Sequence, residues 1–207
     1  MAPNGTEFRS TSCFETVPIG TVLAMPRIDT VTADTADAEQ RELLDATKRQ
    51  LGKVPNLYAT LAQSPAALRG YLALRDSLLT GVLDERQREQ LALLIAQENA
   101  CDYCIAAHTM RGSRLLKMTP DELLATRHAH DADPHTDAIL RVAADVVANR
   151  GQITDSALRT AREAGVTAPE LAEIVAHVAL NVLSNYFNHL AQPELDFPAA
   201  PALDGAR

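Results

Sequence analysis

The chain has 207 residues, a formal net charge of −8 and 46% hydrophobic residues. This size fits one globular domain, or one domain built from two similar halves, and the hydrophobic content excludes a disordered chain. The negative charge, without a basic patch, argues against nucleic acid as the main partner. An Ala-rich and Leu-rich composition without alternating strand patterns predicts an all-α fold.

The sequence carries no signal for export or for a membrane. Its first ten residues lack the apolar run of a secretory leader, and no segment reaches about 18 uninterrupted apolar residues. We therefore expect a cytoplasmic protein without a membrane partner. The three cysteines, Cys13, Cys101 and Cys104, are too few for a disulfide framework. In a reducing compartment a close pair is more often catalytic or metal-binding.

The expected organisation is an arm, a helical domain and a tail. Residues 1–34 are polar, contain three prolines and show no sustained periodicity, so they are interpreted as an N-terminal arm that packs on a neighbouring subunit. Helical periodicity begins at Ala36. The helical domain is expected over residues 35–198, followed by a C-terminal tail over residues 199–207. Cys13 lies in the arm and is interpreted as a bystander.

Capping signals divide the helical domain into successive helices. Predicted helix starts carry Ser, Thr or Asp at the N-cap, and they fall at Ser64, Asp84, Thr119, Asp133, Thr154 and Thr167. All but Thr154 are supported by Pro, or by Gln or Glu, in the first turn. Predicted helix ends fall at or near Gly52, Gly81, Gly151 and Gly165. Asn99 is interpreted as the N-cap of the segment that carries both cysteines. The last helix is expected to run through Asn188.

Two parts of the chain resemble each other weakly. Gly81-Val82, a capped helix and the segment 101–104 are matched by Gly165-Val166, another capped helix and the segment 185–188, in which both cysteines are replaced by asparagine. This pattern predicts an internal two-fold repeat with one reactive and one structural half. The alternative is a chance likeness between helical segments.

The chemistry is concentrated at Cys101, Cys104 and His108. Offsets of three, four and seven residues lie on one face of a helix, so the three side chains line up. Two thiols near a helix N-terminus can close a disulfide, and the positive end of the helix favours thiolate. His108 can accept a proton from Cys104 directly or through a water. The spacing therefore predicts a redox-active dithiol site suited to two-electron turnover.

Two other interpretations of the cysteine pair remain. A zinc site, as in a zinc-stabilised interaction module, would use Cys101, Cys104 and His108 with a fourth ligand such as Glu98 or a distant histidine. No second CxxC or HxxxH supplies the missing ligand, so we predict neither a metal nor a cofactor. Structural burial of both thiols is the third interpretation, and the polar residues around the pair argue against it.

The string Glu98-x-x-Cys101-x-x-Cys104-x-x-x-His108 resembles the ExxCxxCxxxH signature of the alkyl hydroperoxidase D-like and carboxymuconolactone decarboxylase family. The resemblance extends from about Lys53 to Phe197. It implies an all-helical fold that forms homo-oligomers, and a peroxidase activity. It also implies that Cys104 attacks the hydroperoxide and that Cys101 resolves the product as a disulfide.

The resemblance also assigns further residues. Glu89 stands where the family has a proton-relay glutamate, and the suggested roles of Glu89 and Glu98 rest on the resemblance alone. Tyr103 replaces a histidine of the best-known members, although its hydroxyl can still donate a hydrogen bond. His189 is predicted either to line the pocket or to pack. His177 lies in an apolar helix and is expected to be a hydrogen-bonded core residue.

The expected function is that of a thiol-dependent peroxidase of the alkyl hydroperoxide reductase type. The resemblance implies a dithiol reductant, such as a lipoyl group or a thioredoxin-like protein. A cofactor-free lactone decarboxylase on the same fold is the alternative, with a helical pocket that binds a lactone acid. The intact cysteine pair favours the peroxidase, because the family's decarboxylases do not rely on one.

Overall fold

The computed structural model describes residues 26–203. Over that range the chain forms helices and no strand, which confirms the all-α prediction. The helices are α1 (Ala38–Leu51), α2 (Asn56–Leu61), α3 (Pro65–Leu78), α4 (Glu85–Glu98), α5 (Asp102–Arg114), α6 (Pro120–Arg127), α7 (Pro134–Ala148), α8 (Asp155–Glu163) and α9 (Ala168–Ala191).

Local capping chemistry fixes most of these boundaries. All six predicted N-caps are confirmed, and in each the side chain accepts a hydrogen bond from a backbone N–H of the first turn. The Asp84 carboxylate, for example, accepts from the N–H of Gln87, whose side chain accepts from the N–H of Asp84. The first helix starts two residues later than expected, because Asp37 caps it.

The junction between α4 and α5 differs from the prediction. Asn99 ends α4 as its C-cap instead of starting α5. Ala100 adopts a left-handed conformation with φ of 50°, and the N–H of Cys101 donates to the carbonyl of Ala96 at 2.9 Å. A left-handed residue directly after a helix is usually glycine, because glycine adopts this conformation without strain. As a consequence Cys101 becomes the N-cap of α5, and Cys104 lies in its first turn.

Helix α4 lies at the centre of the molecule and packs against α5, α6, α7 and α9. Its residues from Leu91 to Ala96 are buried around the whole helix, so α4 joins two hydrophobic clusters. One cluster is built largely from α1, α2, α3 and α5 and contains both cysteines of the predicted site. The other is built largely from α4, α7 and α9.

Chain segments outside the helices also pack on this body. The N–H of Arg27 donates to the carbonyl of Ala191 at 2.8 Å, and the N–H of Val31 donates to Ala59 at 2.9 Å. On the other side the Arg127 guanidinium donates to the carbonyl of Pro201 at 2.7 Å. Residues 1–25, with Cys13, lie outside the described residues, and the division into arm, domain and tail stays a prediction.

Within residues 26–203, no single helix is long and apolar enough to cross a membrane. Helices α8 and α9 reach that length and composition only when taken together, and they are bent by 120° relative to each other.

Candidate active site

Cys101 and Cys104 form the buried dithiol that the sequence predicted. Both are free thiols, and their sulfur atoms are 2.7 Å apart. The pair sits where α5 begins, so the positive end of the helix favours a negative charge on the sulfurs. At this distance a small movement is enough to join the two sulfurs in a disulfide.

The two thiols share a hydrogen bond that separates their acidities. The hydrogen bond between the two sulfurs lowers the pKa of Cys101 to about 7, although burial opposes the change. The same hydrogen bond, burial and the charge of Cys101 raise the pKa of Cys104. The pair therefore titrates as one unit, with the first negative charge on Cys101.

Two asparagines of α9 contact this dithiol segment. The Asn188 amide donates to the sulfurs of Cys104 and Cys101, at 3.1 and 3.9 Å. Asn185 accepts a hydrogen bond from the side chain of Asn99 at 2.9 Å. The sequence motifs predicted a role in the site for neither asparagine. Their signal was the shared three-residue spacing that suggested an internal repeat, and that repeat stays a prediction.

Glu89 and His108 are brought together as the resemblance implied. His108 Nδ1 lies 2.7 Å from one carboxylate oxygen of Glu89, and Arg111 Nε donates to the other at 3.1 Å. Burial alone would raise the pKa of Glu89, but the charges and hydrogen bonds of His108 and Arg111 hold it below its ordinary value. An ionised Glu89 accepts a hydrogen bond from Nδ1 of His108, so in the neutral imidazole Nε2 is the nitrogen that can accept a proton.

The sequence motif did not include Arg111, although Arg111 follows His108 by three residues and therefore shares its helix face. No direct hydrogen bond joins His108 to either cysteine among the described residues. Proton exchange between His108 and Cys104 would therefore need a bridging water or substrate in the cavity that both residues line.

A cavity of about 860 Å³ gives access to one of the two sulfurs. Its wall includes Cys104, His108 and Glu89, whereas Cys101 does not line it. A molecule entering the cavity therefore meets Cys104 first. Cys101 lies behind Cys104, where it can receive a proton or close a disulfide.

Tyr103 lines the same cavity, but its hydroxyl is used elsewhere. It donates to Asp196 at 2.6 Å and accepts from the N–H of Leu57 at 3.1 Å. Its ring packs edge-on against Phe197, with the ring centroids 5.5 Å apart. Burial and the bond to Asp196 raise the pKa of Tyr103. In this arrangement Tyr103 joins α5 to α2 and to the segment after α9.

Glu98 and His189 do not join the other predicted site residues. Glu98 is exposed at the end of α4, and partial burial raises its pKa. His189 is also exposed, and its Nε2 donates to the carbonyl of Asn99 at 2.7 Å. Neither residue lines the cavity, so their assignment to the site stays a prediction.

Two histidines outside the dithiol site contact acidic side chains. His130 contacts Asp137 at 2.6 Å, and His135 contacts Glu170 at 2.8 Å. Across the part of the chain that the structure describes, no three His, Cys, Asp or Glu side chains are grouped so that they could hold a metal ion.

Comparisons with known proteins agree with this fold. Residues 65–145 match the model of the carboxymuconolactone decarboxylase family. An alkylhydroperoxidase D core from Ralstonia eutropha JMP134, described as a peroxidase-related protein, has the same fold with a TM-score of 0.71 and 24% identity, over 83% of this chain and 92% of that one. The chain therefore has the alkyl hydroperoxidase D-like fold, and its residues 65–145 are similar to the carboxymuconolactone decarboxylase family, in agreement with the resemblance.

Other solved structures share the architecture at lower identity. A peroxidase-related protein from Silicibacter sp. TM1040 has a TM-score of 0.69 and 20% identity, over 83% of this chain and 94% of that one. The debrominase Bmp8 has a TM-score of 0.69 and 14% identity, over 82% of this chain and 92% of that one. Curated proteins gave no significant match to the sequence.

Proposed function

We propose that the protein is a thiol-dependent peroxidase that reduces hydroperoxides through a Cys101–Cys104 dithiol cycle. The observation that carries the proposal is the pair of free sulfurs 2.7 Å apart, with Cys104 in the wall of a cavity. The structural relatives described as peroxidase-related support this direction.

In the first step the Cys104 sulfur attacks the terminal oxygen of the hydroperoxide. The O–O bond breaks, Cys104 becomes a sulfenic acid, and the remaining oxygen leaves as an alcohol after taking up a proton. In the second step Cys101 attacks the Cys104 sulfur, the disulfide forms and water leaves. One hydroperoxide and two thiols thus give one alcohol, one water and one disulfide.

The neighbouring groups supply the proton transfers that these steps need. The thiolate of Cys101 can accept the Cys104 proton along their hydrogen bond as Cys104 attacks. His108, held by Glu89 through Nδ1, can carry a proton through Nε2 between the cavity and the leaving oxygen. Glu98 remains in the proposal on the strength of the motif alone.

The cycle also requires a reductant that returns the disulfide to two thiols. We propose a dithiol for this step, either a lipoyl group or a thioredoxin-like protein, in the cytoplasm. A homo-oligomeric state is part of the same proposal. It can be measured by light scattering on the purified protein.

Thiol counting during a peroxide titration tests the proposal. In a Cys13→Ser background, which leaves two thiols, one equivalent of hydroperoxide should consume both. Cys104→Ser should abolish turnover, because the sulfur that meets the substrate is lost. Cys101→Ser should stop after one oxidation and leave a sulfenic acid that a selective reagent can trap. Helix content by circular dichroism controls for folding.

Full peroxidase activity in Cys104→Ser would end the proposal. A sulfenic acid trapped at Cys101 in place of Cys104 would reverse the two thiol roles. Conversion of a lactone acid that survives both Cys→Ser changes would indicate a decarboxylase instead. One zinc per chain in protein purified without chelator would favour the interaction module.

A further inference from the structure

Helix α9 presents a buried polar face along the cavity. His177, Asn181, Ser184 and Asn188 follow one another at intervals of four, three and four residues, so they share one side of the helix. Asn188 contacts the Cys104 sulfur, and the other three line the cavity. The eleven helical steps from His177 to Asn188 span about 16 Å. The cavity therefore reaches from the dithiol to a second polar end at His177.

His177 at this far end is buried, and one of its ring nitrogens lacks a hydrogen-bond partner in the part of the chain that the structure describes. Its residue is only 4% exposed, and its Nε2 has no hydrogen-bond partner among the described residues. Burial, together with the charge of Arg88, lowers the pKa of His177 to about 4, against an opposing effect of Glu173. The imidazole is thus neutral near pH 7. The sequence predicted a hydrogen-bonded core histidine, whereas the structure leaves Nε2 without a partner within residues 26–203, in a ring that lines the cavity.

Arg88 brings a positive charge to the same end. It lines the cavity and donates to the carbonyl of Leu83, and no carboxylate forms a salt bridge with it within residues 26–203. Three other cations of the cavity wall are neutralised by salt bridges, in the pairs Lys53–Asp196, Arg75–Asp76 and Arg111–Glu89. Arg114, which is exposed at the end of α5, is the remaining cation of the wall.

Two acidic residues face this region and bear on the charge balance. The Glu173 carboxylate accepts hydrogen bonds from the backbone N–H groups of Val82 and Leu83, at 2.7 and 3.1 Å. Glu85 lines the cavity from the exposed first turn of α4. Arg88 is half-buried, so its charge is screened less than that of the exposed Glu85.

We propose that Arg88 and His177 bind the carboxylate of an elongated organic acid hydroperoxide, whose peroxide group then lies at Cys104. Arg88 supplies the charge, and the ring of His177, which also lines the cavity, supplies a hydrogen bond. The wall between the two ends is largely apolar and fits a hydrocarbon body, with Leu57, Ala92, Ala107, Met110, Leu180 and Phe197. The peroxide end of this inference rests on the proposed function, whereas the acid site does not.

Binding of unreactive acids tests the site without any turnover. Hexanoate, octanoate and decanoate are titrated into the reduced protein by calorimetry, with octanamide as the uncharged match for octanoate. We expect affinity to increase with chain length, and octanamide to bind at least tenfold more weakly than octanoate. Arg88→Met should lose at least tenfold in octanoate affinity, and Arg88→Lys should recover part of it.

Arg86→Met is the matched control, because Arg86 lies on the same helix and pairs with Glu122 instead of lining the cavity. It should bind octanoate like the wild type. Equal affinity for octanoate and octanamide, or unchanged binding in Arg88→Met, would overturn the acid site. Binding lost equally in Arg86→Met and Arg88→Met would do the same.

Turnover separates this inference from the peroxidase proposal. With a fatty-acid hydroperoxide, Arg88→Met should lower kcat/KM at least tenfold, and it should lower kcat/KM for the methyl ester of that hydroperoxide by a much smaller factor. Reduction of acid and ester with equal kcat/KM would remove the acid site and leave the peroxidase intact. Octanoate binding that depends on Arg88, in a protein that reduces no peroxide, would keep the acid site and end the peroxidase proposal.

Discussion

The acidity of the dithiol depends on a residue far away in the sequence. Asn188 lies 84 positions after Cys104, yet its amide donates to the sulfurs of both cysteines. Hydrogen bonds to a sulfur favour the thiolate, and Asn188 lowers the pKa of each thiol. The motif alone therefore does not determine how reactive the pair is.

Replacing Asn188 with leucine should make the pair less acidic. The pKa of about 7 at Cys101 should rise by roughly one pH unit, the equivalent of one hydrogen bond to a charged group. The pH dependence of alkylation by a small thiol reagent measures this midpoint. Asn181→Leu is the control, because the Asn181 amide donates to the carbonyl of His177 and not to a sulfur. An unchanged midpoint in Asn188→Leu would show that its amide does not stabilise the thiolate.

At the level of helices, the sequence predicted what local chemistry determines. An Asp or Thr with its acceptor in place and a Gln or Glu three residues later specifies a helix start by itself, as at Asp84, Thr119 and Thr167. The prediction that Asn99 starts α5 was wrong, because asparagine is common at either end of a helix. Nothing in the type of residue marks Ala100 for a left-handed conformation, which only the packing of the two helices imposes.

In the candidate site, too, the sequence predicted the local arrangement but not the contacts made by distant parts of the chain. The spacing of Cys101, Cys104 and His108 on one helix was enough to predict a dithiol beside a histidine, and the resemblance added Glu89. The partners supplied by other elements could not be predicted, because long-range packing decides which side chains meet. Asn188 from α9 and Asp196 from the segment after it are such partners.

Glycine at position 100 should stabilise the protein. Ala100 has φ of 50°, a conformation that costs an L-residue about 1 kcal/mol and glycine almost nothing. After the larger entropy loss of glycine is subtracted, we expect Ala100→Gly to raise the free energy of unfolding by about 0.5 kcal/mol. Urea unfolding measures the change. Ala46→Gly, within α1, should instead lower it by about 1 kcal/mol. A destabilised Ala100→Gly protein would contradict this account of the junction.

For the whole molecule, burial of a neutral histidine links folding to pH. His177 titrates at about 4 when folded, against 6.5 for an ordinary histidine. Between these values the unfolded chain binds more protons than the folded one, so stability falls as the pH drops from about 6.5 to 4. The full effect is about 3 kcal/mol, because each pKa unit is worth about 1.4 kcal/mol.

His177→Gln should remove this contribution and flatten the stability profile over that range. Urea unfolding at a series of pH values measures the profile, and His128→Gln serves as the control because His128 is exposed. If the stability of His177→Gln fell as steeply with decreasing pH as that of the wild type, other groups would cause the loss of stability at acid pH. Bound octanoate should also reduce the slope, since a carboxylate beside His177 favours the protonated imidazole.

Burial of the dithiol also restricts which reductant can reach it. Cys101 is 2% exposed and Cys104 is 3% exposed, and the cavity leads to Cys104 alone. Disulfide exchange requires the incoming thiolate to touch a sulfur directly. A broad protein surface carrying its thiols on a shallow loop would stop at the cavity mouth, whereas a dithiol on a slender, flexible arm could pass inside. Of the two reductants proposed, this steric restriction favours the lipoyl type.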